Sequence, residues 1–313
     1  MSGTGRTIYI AGAGIAGLTL ALALAKFGAH VVVLERNKQV QEVGAGLQLS
    51  PNARKALNQL GLDKPLHARS FEPAGIDVYP FRAGKPLVTM QLGEAVTSRF
   101  TAPYAVMHRA DLVDVLYRAC KRFANIDILF GVRAYDVVSH ARGTSVTVDE
   151  ADGKSRNARA HAFVGADGMA SPTRTGILQG PPATYSGYVA WRTTLPIDAL
   201  KDAIAGDRTT LLFGPGYHAV CYPLPYRDRI NIALFAREKE ERAFGRPPTA
   251  PTIPWAMLPS PQFQAILKAA EGSWGYWIMS TVKAERWHHG GVGLIGDAAH
   301  AMLPFQAQGA AMA

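Results

Sequence analysis

The sequence predicts an α/β protein in two parts: a Rossmann-like domain discontinuous in the chain, and a second domain built on a β-sheet. Three observations carry this. Near the N-terminus, a buried strand, a glycine turn, an Ala/Leu-rich helix and a second buried strand follow each other within about 30 residues, the length of a parallel βαβ unit. From Tyr188 the texture changes to short strands with few helical stretches between them. From Val292 a buried strand, a loop and a helix start return. An α/β pattern that is interrupted and then resumes implies a domain assembled from separate stretches. The expected boundaries are 1–70, 106–178 and 281–313 for the first domain, and 71–105 and 179–280 for the second.

Taken in order, Thr7-IYIAG reads as a buried strand, Ile15 to Phe27 as a helix ended by Gly28, and His30-VVVLE as the second strand. Ser50-Pro51 sets up a further helix, with Ser as N-cap, Pro at the first position and Gly61 as the stop. Asp111 to Phe123 is amphipathic, with Leu112, Leu116, Ala119, Cys120 and Phe123 on one face. Ile126-DILF, Ser145-VTVD and Ala162-FVGADG read as strands, the last running into a turn. In the β-rich region Tyr188-VAWRTTL, Thr210-LLF, His218-AVCYPL and Ile230-NIALFAR are short strands, followed by the Pro-rich loop Arg246-PPTAPTIP.

At 313 residues the chain has room for one large domain or two modest ones. Hydrophobic residues at 48% and charged residues at 18% match a soluble globular chain. Its net charge is 33 − 24 = +9, but the basic residues are scattered. Of nucleic acid, an anionic membrane and small anionic ligands, the partners such an excess allows, a basic nucleic-acid patch is therefore the weaker reading. Cys120 and Cys221 lack CxxC spacing and read as reduced core thiols of a cytoplasmic protein. The apolar stretch Ile8 to Leu34 contains Gly12, Gly14, Gly17, Lys26, Gly28 and His30, so it reads as strand and helix rather than as a leader or membrane span.

Three motifs carry chemistry. In Gly12-Ala13-Gly14-Ile15-Ala16-Gly17, Gly12 permits a tight turn, Gly14 lets a pyrophosphate approach the backbone, and Gly17 lets the helix pack on the sheet. The helix N-terminus then offers free N–H groups to an anion. Glu35, closing the second strand, is placed to accept from a ribose hydroxyl. A plain Gly-rich turn is the competing reading. Val164-Gly165-Ala166-Asp167-Gly168-Met169-Ala170-Ser171 and Gly296-Asp297-Ala298-Ala299-His300, with Pro304 and Gln308-Gly309 beyond, are each an acid in a Gly-rich loop.

The three motifs in this order resemble the group A flavoprotein monooxygenases, the aromatic hydroxylases of the para-hydroxybenzoate hydroxylase fold. The branch with salicylate hydroxylase and 3-hydroxybenzoate 6-hydroxylase is most similar, from Thr7 to Ala313. The resemblance implies a non-covalent FAD, with its ADP half on Gly12, Gly14, Ile15, Ala16, Gly17 and Glu35, and Arg36 beside the adenosine. Val43-GAGLQLSPNA, with Gly46, would run along the flavin, and Arg109 would approach the diphosphate. Asp167 and Gly168 form the family's Asp-Gly motif, tied to FAD and NAD(P)H. Gly296-Asp297 would meet the ribityl chain, with Asp297 accepting. Pro304 would lie beside the flavin ring. Gln308, Gly309 and Ala310 would start a helix aimed at its pyrimidine end.

The implied reaction uses NAD(P)H to reduce FAD and O2 to form a C4a-hydroperoxide, which transfers OH to an activated phenol ring. The partners are thus a small aromatic carboxylate and O2, with NAD(P)H as transient co-substrate. A near-neutral base would deprotonate the phenol, a task suited to His. His218 and Tyr222 stand four apart in a strand, so they share a face. The pair resembles the pocket of the 3-hydroxybenzoate 6-hydroxylase branch, which gives His218 the role of activating the phenol and Tyr222 that of binding the substrate; otherwise both simply line a sheet. Gln306 is either pocket floor or a loop amide. Trp191-Arg192 lines the cofactor face, or Trp191 is core, and Met107 reads as packing.

No metal site is expected, since His288, His289 and His300 lack Cys or carboxylates at ligand spacing. No second GxGxxG marks a separate nicotinamide domain. Family members continue beyond the equivalent of Ala313, so exposed apolar surface and self-association, a homodimer in the simplest case, are expected. Besides the hydroxylase, a related epoxidase or reductase and a non-catalytic dinucleotide-binding protein stay open.

Overall fold

A computed structural model describes residues 5–40, 45–238, 249–251 and 260–313. The expected Pro-rich loop at 246–254 lies mostly outside these residues, as do Val43 and Gly44 of the flavin-side segment. The N-terminal unit forms as the sequence implies: β1 (Thr7–Ala11), α1 (Ile15–Lys26) and β2 (His30–Glu35). β1 lies at the centre of a six-stranded sheet, parallel to β2 on one side and to Ala162–Gly165 on the other. Ile126–Phe130 extends the sheet beyond β2, and Val292–Leu294 extends it beyond Ala162–Gly165, both parallel. His288–His289 closes the far edge antiparallel.

One face of this sheet is covered by α1 and the helix Arg109–Cys120. Leu18 and Leu22 of α1 and Leu112 and Leu116 of the second helix are fully buried against the sheet. Each is worth about 1.5–3 kcal/mol of transfer free energy. The second helix begins two residues before Asp111 because His108 caps it, its ring nitrogen accepting from Ala110 N at 3.2 Å. It ends at Cys120, and Phe123 packs beyond it. The opposite face carries the three-stranded meander Val132–His140, Gly143–Glu150 and Ser155–Ala160.

The second sheet has seven strands, in the order Gly275–Thr281, Thr184–Pro196, Arg229–Arg237, Tyr217–Leu224, Thr209–Gly214, Gly75–Tyr79 and Val88–Gln91. The pairing is antiparallel except between Thr209–Gly214 and Gly75–Tyr79. Its two faces separate cleanly. Trp191, Leu195, Ala219, Cys221, Ile232 and Leu234 pack on one side with Phe263 and Ile266 of the helix Pro261–Ala269. Ala190, Val220, Tyr222, Ala233 and Phe235 pack on the other, against Val106. Trp191 is therefore core, stacked edge-on against Tyr276 at 5.0 Å, and only Arg192 of that pair faces the first sheet's side.

Among the contacts that join the parts, two are polar and engage a buried side chain. Asn231, buried in the second sheet, accepts at Oδ1 from Gly46 N at 2.6 Å. Arg227 donates twice to the buried Asp111 carboxylate, at 2.8 and 2.7 Å, a bidentate pair that fixes orientation as well as charge. Both thiols are buried and unpaired, and burial pushes that of Cys120 up to about 12. No described helix is long and apolar enough to cross a membrane.

Candidate active site

The three motifs meet at the C-terminal ends of the parallel strands. Gly12 has φ +104°, and a Cβ there would lie 2.4 Å from the Ala166 carbonyl oxygen. The first motif is thus in backbone contact with the second. A Cβ on Gly17 would lie 1.9 Å from the Gly12 carbonyl, so the helix enters the turn as closely as backbone allows. The third motif joins through Ile295 N, which donates to Gly165 O at 3.0 Å, and Gly296 abuts the Ala16 methyl. Open strand ends at such a crossover are where α/β sheets take ligands.

This convergence fits a dinucleotide. At the N-terminus of α1, Gly14 provides no side-chain cap and the first turn holds no acid, so its N–H groups and dipole are left for an anion. Ile15 is buried beneath that turn. Glu35 stands at its rim, accepting from Ala13 N at 2.9 Å, with its other oxygen bonded to Asn37. Arg36 beside it is exposed. Asp297 opens the short helix Asp297–His300 and is exposed on the same side.

Asp167 is committed differently. Its carboxylate accepts from Tyr135 Oη at 2.6 Å, Ser171 Oγ at 2.5 Å, Thr173 N at 3.0 Å and Thr173 Oγ1 at 2.8 Å. It holds its own loop, with Gly168 at the turn. Next to it the buried Arg174 donates to Met169 O at 2.6 Å, Ala298 O at 2.8 Å and Pro181 O at 2.8 Å, tying the second motif to the third. Spacing gave no sign of Tyr135, which lies 32 residues upstream of Asp167. Tyr135→Phe removes one of four donors to a half-buried carboxylate and is expected to cost about 1–3 kcal/mol. Urea unfolding reads this directly, and an unchanged midpoint would mean Ser171 and Thr173 suffice.

His218 and Tyr222 share the inner face of the second sheet, as their spacing requires. Tyr222 is buried with its ring against Gly46, where a Cβ would fall 2.5 Å from the ring. The His218 imidazole is enclosed by rings: Phe235 stacks at 4.9 Å, Phe213 at 5.9 Å, and Phe305 approaches edge-on at 5.1 Å. Tyr188 meets Phe305 at 5.0 Å. Burial lowers the His218 pKa below its ordinary value of 6.5, so the ring is neutral at neutral pH. Burial also raises the Tyr222 phenol, which stays protonated. Arg192 lies on the same face, its guanidinium 5.8 Å from the Trp277 ring centre. Arg109, whose backbone N donates to Ala45 O at 3.2 Å, is an electrostatic neighbour of Arg192.

The loop after Asp297 reaches this face, but through an unexpected residue. Gln306 is exposed in the short 3₁₀ turn Pro304–Gln306, and its neighbour Phe305 is the one against His218. The turn aims successive side chains in different directions, which residue type alone does not reveal. Gln308 is bonded back to Ser50, its Nε2 donating to Ser50 Oγ at 3.2 Å. Ser50 accordingly sits at the N-cap position of Pro51–Gln59 without capping it, its hydroxyl engaged with Asn52 and Gln308 instead. Gly309 borders open space, while Ala310 packs on the first core. Met312 N and Ala311 N both donate to Gln308 O, so the expected helix start is here a single turn. Between them and Phe305, Ala307 adopts φ +54°.

A left-handed alanine costs about 1–2 kcal/mol. Ala307→Gly releases this against about 0.4–1 kcal/mol of added unfolded-state entropy. Thermal unfolding should show a gain of several tenths of a kcal/mol to about 1, and a loss would mean the Ala307 methyl packs usefully.

Among the described residues no group of three His, Cys, Asp or Glu is placed to hold a metal ion. His300 stacks on Trp287 at 5.0 Å, and His288 and His289 lie on the sheet edge.

The family model described as "FAD binding domain" matches residues 6–313. The chain is 30% identical over 308 residues to 3-hydroxybenzoate 6-hydroxylase 1 of Aquipseudomonas alcaligenes, covering 98% of this chain and 77% of that protein. It is also 30% identical to the 3-amino-4-hydroxybenzoate 2-monooxygenase PtnB3 of Streptomyces platensis, covering 97% and 75%. Among solved structures, the tetrameric form of 2-methyl-3-hydroxypyridine-5-carboxylic acid oxygenase superposes with a TM-score of 0.75 at 25% identity, covering 97% of this chain and 78% of that one. Klebsiella pneumoniae HpxO, crystallised with FAD and uric acid, superposes at 0.79 with 24% identity, covering 100% and 77%.

Proposed function

Because the chain belongs to the FAD binding domain family and is an FAD-dependent monooxygenase, we propose that it hydroxylates a phenolic aromatic carboxylic acid with O2, drawing electrons from NADH or NADPH. One oxygen atom enters the ring and the other leaves as water. The observation that carries this reading is the neutral His218 imidazole, enclosed by aromatic rings on the sheet face that abuts Gly46. The relatives named for hydroxybenzoate and aminohydroxybenzoate chemistry support the substrate class.

In this reading the two sheets divide the work, with 1–70, 106–178 and 281–313 holding the cofactor and 71–105 and 179–280 the substrate. The uncapped N–H groups of α1, Gly12 to Gly17, Glu35 and Arg36 hold the ADP half of FAD. Arg109 supports the diphosphate. Asp297 and the Gln308–Ala310 turn hold the ribityl chain and ring, with Pro304 beside it. The bound flavin, once reduced, supplies the activation of O2. The protein's own part is to position the phenol, exclude water and move one proton. His218 takes the phenol proton onto a ring nitrogen, which raises electron density in the ring to be attacked. Phe235 is buried beneath the imidazole, and Phe213, Phe305 and Tyr188 give an aromatic ring edges and faces to pack on. Reduced buried thiols fit a cytoplasmic enzyme, and a homodimer is expected in solution.

The test uses FAD-loaded protein mixed anaerobically with NADH or NADPH, with and without 3-hydroxybenzoate, followed by ¹⁸O2 and product analysis. Flavin bleaching accelerated by the aromatic acid and one ¹⁸O in the product support the proposal. Bleaching that yields only hydrogen peroxide with every hydroxybenzoate isomer would overturn the substrate class. No bleaching with either nicotinamide would overturn the electron donor.

A further inference from the structure

On the inner face of the second sheet, six residues make a rectangle two rows deep. Ala190, Phe235 and His218 lie directly opposite one another across three strands, and Arg192, Ala233 and Val220 form the next row. His218 and Arg192 occupy diagonal corners. Neighbouring strands are about 4.8 Å apart and residues i and i+2 about 6.8 Å apart, so the two Cα positions are separated by roughly 12 Å. Ala190, Ala233 and Val220 are short, so the floor is low on the Arg192 side, and Phe235, stacked on His218, rises beside it.

Arg192 has the character of half an ion pair. Its Nε is buried and without a hydrogen-bond partner among the described residues. Among the described residues its electrostatic neighbours are Tyr222 and a second cation, Arg109, with no carboxylate. Trp277 covers its outer side, itself lying across Gly275, the residue opposite Arg192 on the edge strand. A half-buried guanidinium whose Nε is enclosed, with no acid beside it among the described residues, is costly to the folded protein alone. That cost is recovered when an anion arrives, and a planar fork suits a carboxylate.

Resting on the hydroxylase reading above, we infer that Arg192 is the carboxylate anchor of the substrate site, holding the acid group of an aromatic ring whose phenol reaches His218. The ring then lies over Ala190 and Ala233 with Tyr222 at its side. Specificity follows: acids are taken, and neutral amides or esters of the same ring are discriminated against.

The experiment is calorimetric titration of FAD-loaded protein with 3-hydroxybenzoate and with its neutral counterpart 3-hydroxybenzamide. The wild type should bind the acid at least tenfold more tightly than the amide. Arg192→Met should bring the acid to the amide's affinity and leave the amide nearly unchanged, and Arg192→Lys should restore part of the preference. An Arg192→Met protein that keeps the preference would overturn the inference. So would one that loses FAD while Arg192→Lys retains it without any acid preference. The two readings also separate in the wild type. Equal binding and hydroxylation of acid and amide sinks the anchor and leaves the hydroxylase. Tight, Arg192-dependent binding of the acid without any hydroxylated product keeps the anchor and sinks the hydroxylase.

Discussion

His218→Gln is expected to lower hydroxylation by about 10²–10⁴-fold, the usual contribution of a positioned general base, while nicotinamide-driven flavin reduction continues. Gln keeps a polar side chain of similar reach but takes no proton. The pH dependence gives the sharper signature. Burial lowers the imidazole pKa, so the proton-accepting form persists to below the ordinary 6.5. The rate should fall as the pH drops through that lowered value, and His218→Gln should lack this acid limb. The same shift has a stability sign. Below the unfolded-state pKa an unfolded imidazole takes up a proton that the folded one refuses, so this group destabilises the fold progressively as pH falls through the window between the two values. Rapid-quench product yield against pH measures the first effect, and urea midpoints against pH measure the second. A variant that hydroxylates with a wild-type acid limb would remove His218 from the reaction.

Gly12→Ala is expected to abolish flavin retention. The new methyl would sit 2.4 Å from the Ala166 oxygen, a backbone atom unable to swing away, on a residue with φ +104°. Overpacking at about 1–3 kcal/mol and the positive φ at about 1–2 kcal/mol together suggest roughly 2–5 kcal/mol. The strain falls where the first and second motifs touch, so relaxation would open the floor beneath the cofactor. Absorbance near the flavin band after gel filtration with excess FAD is the readout. Gly84→Ala is the control, because a Cβ there meets nothing within 4 Å. Full flavin uptake by Gly12→Ala would show that the motifs separate without consequence.

The βαβ unit was legible because it is local. Period, glycine spacing and the closing Glu35 all lie within one stretch, and the interrupted texture located both sheets. Most of the His218 enclosure was not legible, because Phe235 reaches it through strand register and Phe305 through a 3₁₀ turn. A one-residue slip would have reversed every face of the second sheet. Several strands also escaped notice. Ser155–Ala160 alternates weakly and is mostly exposed, and Val88–Gln91 is an exposed edge. They are defined by what they pair with more than by their own residues. The commitment of Asp167 to its loop is of the same kind, since its main donors are Tyr135 from the meander and the Ser and Thr just downstream.

The parallel sheet has a temporal consequence. Its central strand comes from residues 7–11, its inner neighbour from 162–165, and the next from 292–294. At ordinary synthesis rates the first strand emerges roughly 15–60 s before the last can pair. During that interval Ile10 and the apolar side of α1 gain β2, then the helix Arg109–Cys120 and Ile126–Phe130, then Ala162–Gly165, whose far side stays unpaired. Until Val292–Leu294 is made, the nascent chain therefore presents an unfinished sheet edge. It should be a chaperone client for that period, released when the Asp297 loop closes the cofactor site.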